Sequence, residues 1–219
     1  MYVHYGCGHD VGKSWSNFDV SPMLRFEKIP GGKIAKKLVD TGSNFPPEVM
    51  YGNILNGPLV TPGTANCVYA SHVLEHLSYA DACRAISTTF DMLQAGGTFR
   101  LVVPDLEWRA RLYIESLNKG DSGASGAFLR QTLLGHETRD RSLLGKARLA
   151  FGGSAHLWMW DEPAMTDALK AAGFQNIRRC DFGDASDPAF SELEIFERFW
   201  VTMPDGTKHK ELALEASRP

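Results

Sequence analysis

Three clusters in this sequence are built from residue types that do chemistry at a bound ligand. The first is Gly6-Cys7-Gly8, directly after the short aromatic and β-branched run Met1–Tyr5. A glycine turn after the first strand of an α/β sheet lets the backbone approach a ligand closely. Taken alone, the pattern fits a plain tight turn better. The third glycine of a dinucleotide fingerprint is missing, since Val11 stands in its place, which argues against a pyrophosphate-binding nicotinamide site. The second is Asp19, which closes the next strand candidate, where a carboxylate accepts hydrogen bonds from both hydroxyls of a ribose. It follows Gly8 by only 11 residues, against about twenty in dinucleotide folds. The intervening helix must therefore be shortened or replaced by a loop. A turn residue before Ser21-Pro22 is an equally good reading of Asp19.

The third cluster is Tyr69–Leu77, which carries Ser71, His72, Glu75 and His76. The order HxxEH matches an inverted zinc motif, which needs its ligands on a helix and a further ligand downstream. A strand directly before and a capping residue directly after, Ser78, leave too short a helix, so no metal site is expected. His72, His76 and His156 are candidate general bases, because an ordinary histidine titrates near neutral pH. His72 is the first choice. His76 fits better as a histidine packed under the following helix. His156 opens His-Leu-Trp-Met-Trp-Asp161, whose aromatic rings suit a pocket wall and a core equally well. Asp105 ends a strand where ligands bind, and is also a natural helix cap.

These residues need a scaffold, and the chain supplies alternating strand and helix signals. Strands are expected at Met1–Tyr5, Trp15–Val20, Val49–Tyr51, Cys67–Ala70, Thr98–Val103, Ile177–Phe182 and Leu212–Ala216. Met23–Leu38 reads as a short helix and a loop. Ser78 with Asp81 resembles a capping box, opening a helix with Ala82, Ile86, Phe90 and Leu93 on one face and Gly96-Gly97 just past its end. Asp105 caps a helix running to about Leu117, and Asp161 caps one that stops before Gly173. Strand, helix, strand, helix is the order of a doubly wound α/β sheet. Residues 119–151 break it with a Gly/Ser run and a helical stretch holding Phe128, Leu129, Leu133, Leu143 and Leu144. That insertion would lie over the ligand crevice as a lid. Its Arg130, Arg139, Arg141, Lys146 and Arg148 read as a solvated face, or as a lure for an anionic substrate. Gly183–Lys210 reads as irregular and polar.

Composition limits the rest. The chain has 219 residues, 43% of them hydrophobic, enough for a single domain over 1–219 with a substantial core. A net charge of -3 offers no overall basic field, so no nucleic-acid partner is expected. Cys7, Cys67, Cys83 and Cys180 are scattered without metal or disulfide spacing, which suits a reducing, cytoplasmic setting. No apolar run approaches the roughly 18 residues of a membrane span, and the first residues lack a secretory signal.

Taken in order, Gly6-Cys7-Gly8, Asn17-Phe-Asp-Val-Ser-Pro22, Tyr51-Gly-Asn-Ile54, Tyr69–Leu77 and Leu93-Gln-Ala-Gly-Gly-Thr-Phe-Arg-Leu-Val-Val-Pro-Asp105 resemble the class I S-adenosylmethionine (SAM)-dependent methyltransferases, in particular the bacterial "methyltransferase type 11" group. The resemblance covers roughly residues 1–180. It implies a Rossmann-like, doubly wound, seven-stranded, mostly parallel sheet, here with a reduced first helix and a helical insertion after strand 5. It also implies roles. Gly6, Cys7 and Gly8 would lie against the methionine part of SAM, and Asp19 would hold its ribose. Asn53 and Ile54 would flank the adenine, Asn53 near its amino group, while Ser71 and His72 face the sulfonium. The family often has Asp where this chain has Asn53 and Asn66. The acceptor expected is a small molecule or saccharide, methylated on oxygen or nitrogen, with His72 or His156 as base. The alternatives are a non-catalytic SAM-binding protein, an α/β oxidoreductase and a zinc hydrolase using His72, Glu75 and His76.

Overall fold

A computed structural model of the chain describes residues 1–30, 44–135, 137–138 and 155–219. Five strands, β1 (Tyr2–Tyr5), β2 (Trp15–Asp19), β3 (Met50–Tyr51), β4 (Ala65–Ser71) and β5 (Leu93–Val103), run parallel. β6 (Gln175–Arg179) and β9 (Leu212–Ser217) complete a seven-stranded sheet in the order β3-β2-β1-β4-β5-β9-β6. β9 is antiparallel to both its neighbours. The chain leaves β1 for β2 on one side and β4 on the other, so the sheet reverses at β1/β4. A reversal of this kind opens a crevice at the carboxyl ends of the strands, where α/β sheets bind ligands.

The central strands are apolar because both sheet faces are covered. Val68 and Ala70 of β4 join one core cluster, with Ile86 and Met92 behind them, while Cys67 and Tyr69 join a second, with Trp15, Phe190 and Phe199. The alternation follows from the two-residue period of a strand. One charge interrupts this pattern. Arg100 of β5 is fully buried, where its guanidinium pairs with Glu194 and with Glu215 (2.9 Å) and donates to the Asp181 carbonyl (2.7 Å). It ties the 181–194 segment across one face of the sheet.

The helices begin where their caps are. Ser78 accepts from the Asp81 N–H (3.2 Å) and donates to the Asp81 carboxylate (2.8 Å), starting α2 (Tyr79–Met92). It follows α1 (Pro22–Glu27) in the chain. Asp105 accepts from the Glu107 N–H (2.8 Å) to start α3 (Leu106–Asn118). α4 (Ala124–Gln131) belongs to the insertion and meets α3 through the Tyr113 and Phe128 rings, 5.5 Å apart. Asp161 accepts from the Ala164 N–H (2.9 Å) to start α5 (Glu162–Ala171), and Gly173 follows its end with φ +101.

Several expectations change. Residues 6–14, all of them described, form turns and no helix, so the reduced first helix is absent altogether. Gly96-Gly97 do not end α2, which stops at Met92. Leu93 already pairs with Ala65, and the glycines sit within β5 beside a register shift. Leu93 thus leaves the helix face assigned to it. The sixth strand begins at Gln175 and ends at Arg179, earlier than Ile177–Phe182. Gly183–Lys210 is more regular than its polarity suggests. It holds a 3-10 turn (Pro188–Glu192), α6 (Phe196–Phe199), and a hairpin of β7 (Trp200–Thr202) with β8 (Lys208–Lys210). The rest of the proposed lid, with Arg139, Arg141, Leu143, Leu144, Lys146 and Arg148, lies outside the described residues.

Candidate functional site

The glycine loop leaves β1 through two left-handed residues, Gly6 (φ +65) and Gly8 (φ +54). A Cβ on Gly6 would stand 2.3 Å from Val73 Cγ2, so β4's exit loop packs directly on it. A Cβ on Gly8 would meet nothing within 4 Å, so this residue faces open space. Between them, Cys7 turns its side chain inward beside Leu24 and Val49, where burial pushes its thiol up to about 12. Its contribution to any ligand is therefore backbone.

Asp19 stands beside this loop at the end of β2. One carboxylate oxygen accepts the Gly8 N–H at 2.8 Å and the other the Ser21 N–H at 2.7 Å. The turn reading of Asp19 thus holds, and the same carboxylate stands beside the glycine loop. An ionised carboxylate has about four acceptor positions, so two remain for a diol. Asn53 opens the 3-10 turn Ile54–Asn56 and accepts the Leu55 N–H at 2.9 Å. That bond engages the amide oxygen, the group an adenine amino hydrogen would need, and leaves the amide nitrogen as donor toward a ring nitrogen. Ile54 is part of the main core.

A small cavity under the loop is lined by His4, Gly6, Cys7, Asp10, Tyr69, Ser71, Leu193 and Arg198. Arg198 of α6 reaches it in an ion pair with Asp10 at 2.5 Å. The His4 Nδ1 and Tyr69 hydroxyl are buried with no partner among the described residues. Burial lowers the His4 imidazole to about 4.

The other end of the crevice is made where β4 exits. His72 holds φ 56, a left-handed backbone for a side-chain-bearing residue. Its Nδ1 lies 3.1 Å from Ser71 Oγ. Burial is the main reason its imidazole falls to about 4, so it is neutral at pH 7 and a weaker base than the near-neutral one expected of it. His156 is likewise held at about 4, by burial and then by the neighbouring His76. His76 meets the 155–156 segment. Its ring meets His156 edge-on at 5.1 Å, and its Nδ1 lies 3.2 Å from the Ala155 carbonyl. The chain is stapled here, since the Glu75 carbonyl accepts the N–H groups of Leu157 (2.8 Å) and Trp158 (3.2 Å). The Glu75 side chain is 1% exposed, and burial raises its carboxyl to about 8.

Beneath this end lies a buried ion pair that sequence reasoning missed. Arg109 of α3 binds Glu211 through two bonds of 2.7 and 2.6 Å, and Glu211 also accepts the Asp105 N–H at 2.8 Å. Asp105 is therefore a cap and a brace, also paired with Arg179 at 2.7 Å. Trp160 is fully buried, while Trp158 is exposed and lies tilted against Tyr79, with the ring centroids 5.1 Å apart. The aromatic run therefore contributes one ring to the core and one to the surface.

Residues 5–179 match a family described as a methyltransferase domain. No curated protein sequence matches the chain. Among solved structures, a SAM-dependent methyltransferase of Methanosarcina mazei is similar with a TM-score of 0.51 and 14% identity, over 99% of this chain and 91% of that one. A possible histamine N-methyltransferase of Thermotoga maritima is matched over 100% of this chain and 82% of that one, at 13% identity and a TM-score of 0.49.

Proposed function

The chain belongs to the class I SAM-dependent methyltransferases, and from that premise we propose that it transfers a methyl group from SAM to oxygen or nitrogen of a small-molecule or saccharide acceptor. The observation that carries the proposal is the Gly8–Asp19 hydrogen bond at the carboxyl end of β1 and β2, at the place where the sheet reverses. The residues fit the cofactor. Asp19 has acceptor positions left for the ribose diol, and the open side of Gly8 leaves the backbone bare for close approach. The Asn53 amide nitrogen would donate to the adenine ring, with Ile54 supporting from the core. Ser71 and His72 would face the methyl-bearing end.

SAM supplies an already activated methyl group, so the protein's share is binding, orientation and proton handling. His72, neutral at pH 7, accepts a hydrogen bond from the acceptor and orients it. A neutral amine attacks directly and sheds its proton afterwards. A hydroxyl acceptor needs stronger help than an imidazole near 4 gives. His156 and the exposed Trp158 form the proposed acceptor side.

Calorimetric titration with SAM and with its demethylated product tests the first half. Micromolar binding is expected, and Asp19→Ala should weaken it at least tenfold, about the worth of one charge-assisted hydrogen bond. No binding of either ligand to the wild type would overturn the proposal. Methyl transfer to a panel of amines, alcohols and saccharides then separates an enzyme from a protein that only holds SAM.

A further inference from the structure

The acceptor side contains a cost with no visible return. Glu75 is 1% exposed, and neither of its carboxylate oxygens has a partner among the described residues. The His156 Nδ1 is buried and unpartnered as well. Burying such groups without hydrogen bonds destabilises the fold, more so when they are charged. In native proteins an orphan of this kind usually has a partner such as an ion or a water.

Glu75, His76 and His156 each offer one ligand atom, and these atoms all lie within 4.8 Å of one another. We propose that Glu75, His76 and His156 form a binding site for a first-row divalent metal ion on the acceptor side of the crevice.

Two imidazoles and a carboxylate suit zinc, manganese or iron(II), and such ions bond these ligands at about 2.0–2.2 Å. Ligands around one such ion stand about 3–4 Å apart, so the set closes by roughly an ångström on binding. Two features prepare it. The Ala155 carbonyl at the His76 Nδ1 keeps the proton on that nitrogen and turns the Nε2 lone pair outward, the usual support of a metal-bound histidine. The paired bonds from Leu157 and Trp158 to the Glu75 carbonyl hold the two ligand-bearing segments together. His72 remains with Ser71. Two of the three residues of the pattern HxxEH are thus used, and His156 takes the place of its first histidine.

Three protein ligands leave coordination positions open for a group of the acceptor. The class of acceptor that fits is one presenting a hydroxyl or carboxylate oxygen to the ion. This last step rests on the methyl-transfer reading, whereas metal binding itself does not.

The test is titration of the chelator-stripped full chain with Zn2+ alone, and with Co2+ for its visible absorption. One equivalent should bind with a Kd below 10 μM, an order-of-magnitude floor for a three-ligand site. Glu75→Gln and His156→Ala should each weaken it at least tenfold, while His72→Ala should not. Glu75→Gln removes a buried acid and should fold at least as well as the wild type, which thermal unfolding without metal checks. Absence of stoichiometric binding, or equal binding by all variants, overturns the site. SAM binding by the same metal-free samples reports separately on the cofactor reading, so either can fail alone.

Discussion

The two ends of the crevice differ in how their polar groups are satisfied. At the proposed cofactor end the groups facing the crevice are paired, and the bare atoms, His4 Nδ1 and the Tyr69 hydroxyl, lie in the cavity beneath the loop. Asp19 receives two N–H groups, Asn53 caps its own turn, and the buried Asn17 donates to the carbonyls of Gly12 and Trp15 at 2.9 Å each. At the acceptor end the backbone is equally well tied, but Glu75 and His156 carry bare polar atoms. A satisfied network keeps its shape without a ligand, whereas unsatisfied buried groups destabilise the fold until something binds them. The rim of the proposed cofactor end is therefore held in shape without a ligand. The acceptor end holds its polarity in reserve and relies on a brace below.

That brace gives the largest expected effect. Glu211→Gln removes the charge facing Arg109, whose side chain is 6% exposed, and leaving a buried guanidinium without its counter-ion costs about 3–5 kcal/mol. Urea unfolding measures this. A loss under about 1 kcal/mol would mean that the acceptor end does not depend on the pair.

Next comes acid. Burial holds His4, under the glycine loop, at about 4 rather than 6.5, so the unfolded chain takes up the proton first. Stability is therefore fully present above pH 6.5 and falls as the pH drops to about 4, by roughly 3 kcal/mol from this residue. In His4→Gln the decline measured by chemical unfolding at stepped pH should be shallower by about that amount. An unchanged slope would place the acid sensitivity at the acceptor end alone.

The smallest effect separates two glycines of one loop. Gly6→Ala combines left-handed strain with a Cβ placed 2.3 Å from Val73. Gly8→Ala has the strain but open space. Left-handed strain costs about 1–2 kcal/mol, and forced overpacking adds about 1–3. Gly6→Ala should therefore unfold at lower urea than Gly8→Ala, by that second increment. Equal midpoints would show that Val73 yields freely and that the cofactor end is softer than its hydrogen bonds suggest.

Much of this was legible in the chain. The apolar runs of β1, β4 and β5 and the capping residues Ser78, Asp105 and Asp161 are local signals, and they marked their elements within a few residues. The loop between β1 and β2 followed from a gap too short for a helix. What escaped depends on distant partners. Arg109 meets Glu211, 102 residues later, and Arg100 meets Glu215, 115 later. No period in the sequence couples such positions. The HxxEH run was set aside as a metal motif because it lacks a helix. That reasoning considered the run alone, whereas in the structure a 3-10 turn (Leu74–His76) and a separate segment bring Glu75, His76 and His156 together. Gly183–Lys210 was judged by its polarity, although Phe190 and Phe199 in it are fully buried.

The missing first helix changes the electrostatics of the cofactor end. A helix starting after a glycine loop directs its positive macrodipole, about half an elementary charge, at whatever anion sits there. Residues 6–14 offer no such dipole. In the proposed binding mode the amino-acid carboxylate of SAM therefore needs a full cation from elsewhere, and the cavity under the loop has one in Arg198, held by Asp10. A field spread over a backbone is replaced by one side chain, which arrives from α6 rather than from the loop's own continuation. In that binding mode, charge recognition at the first strand would depend on correct packing of the last third of the chain.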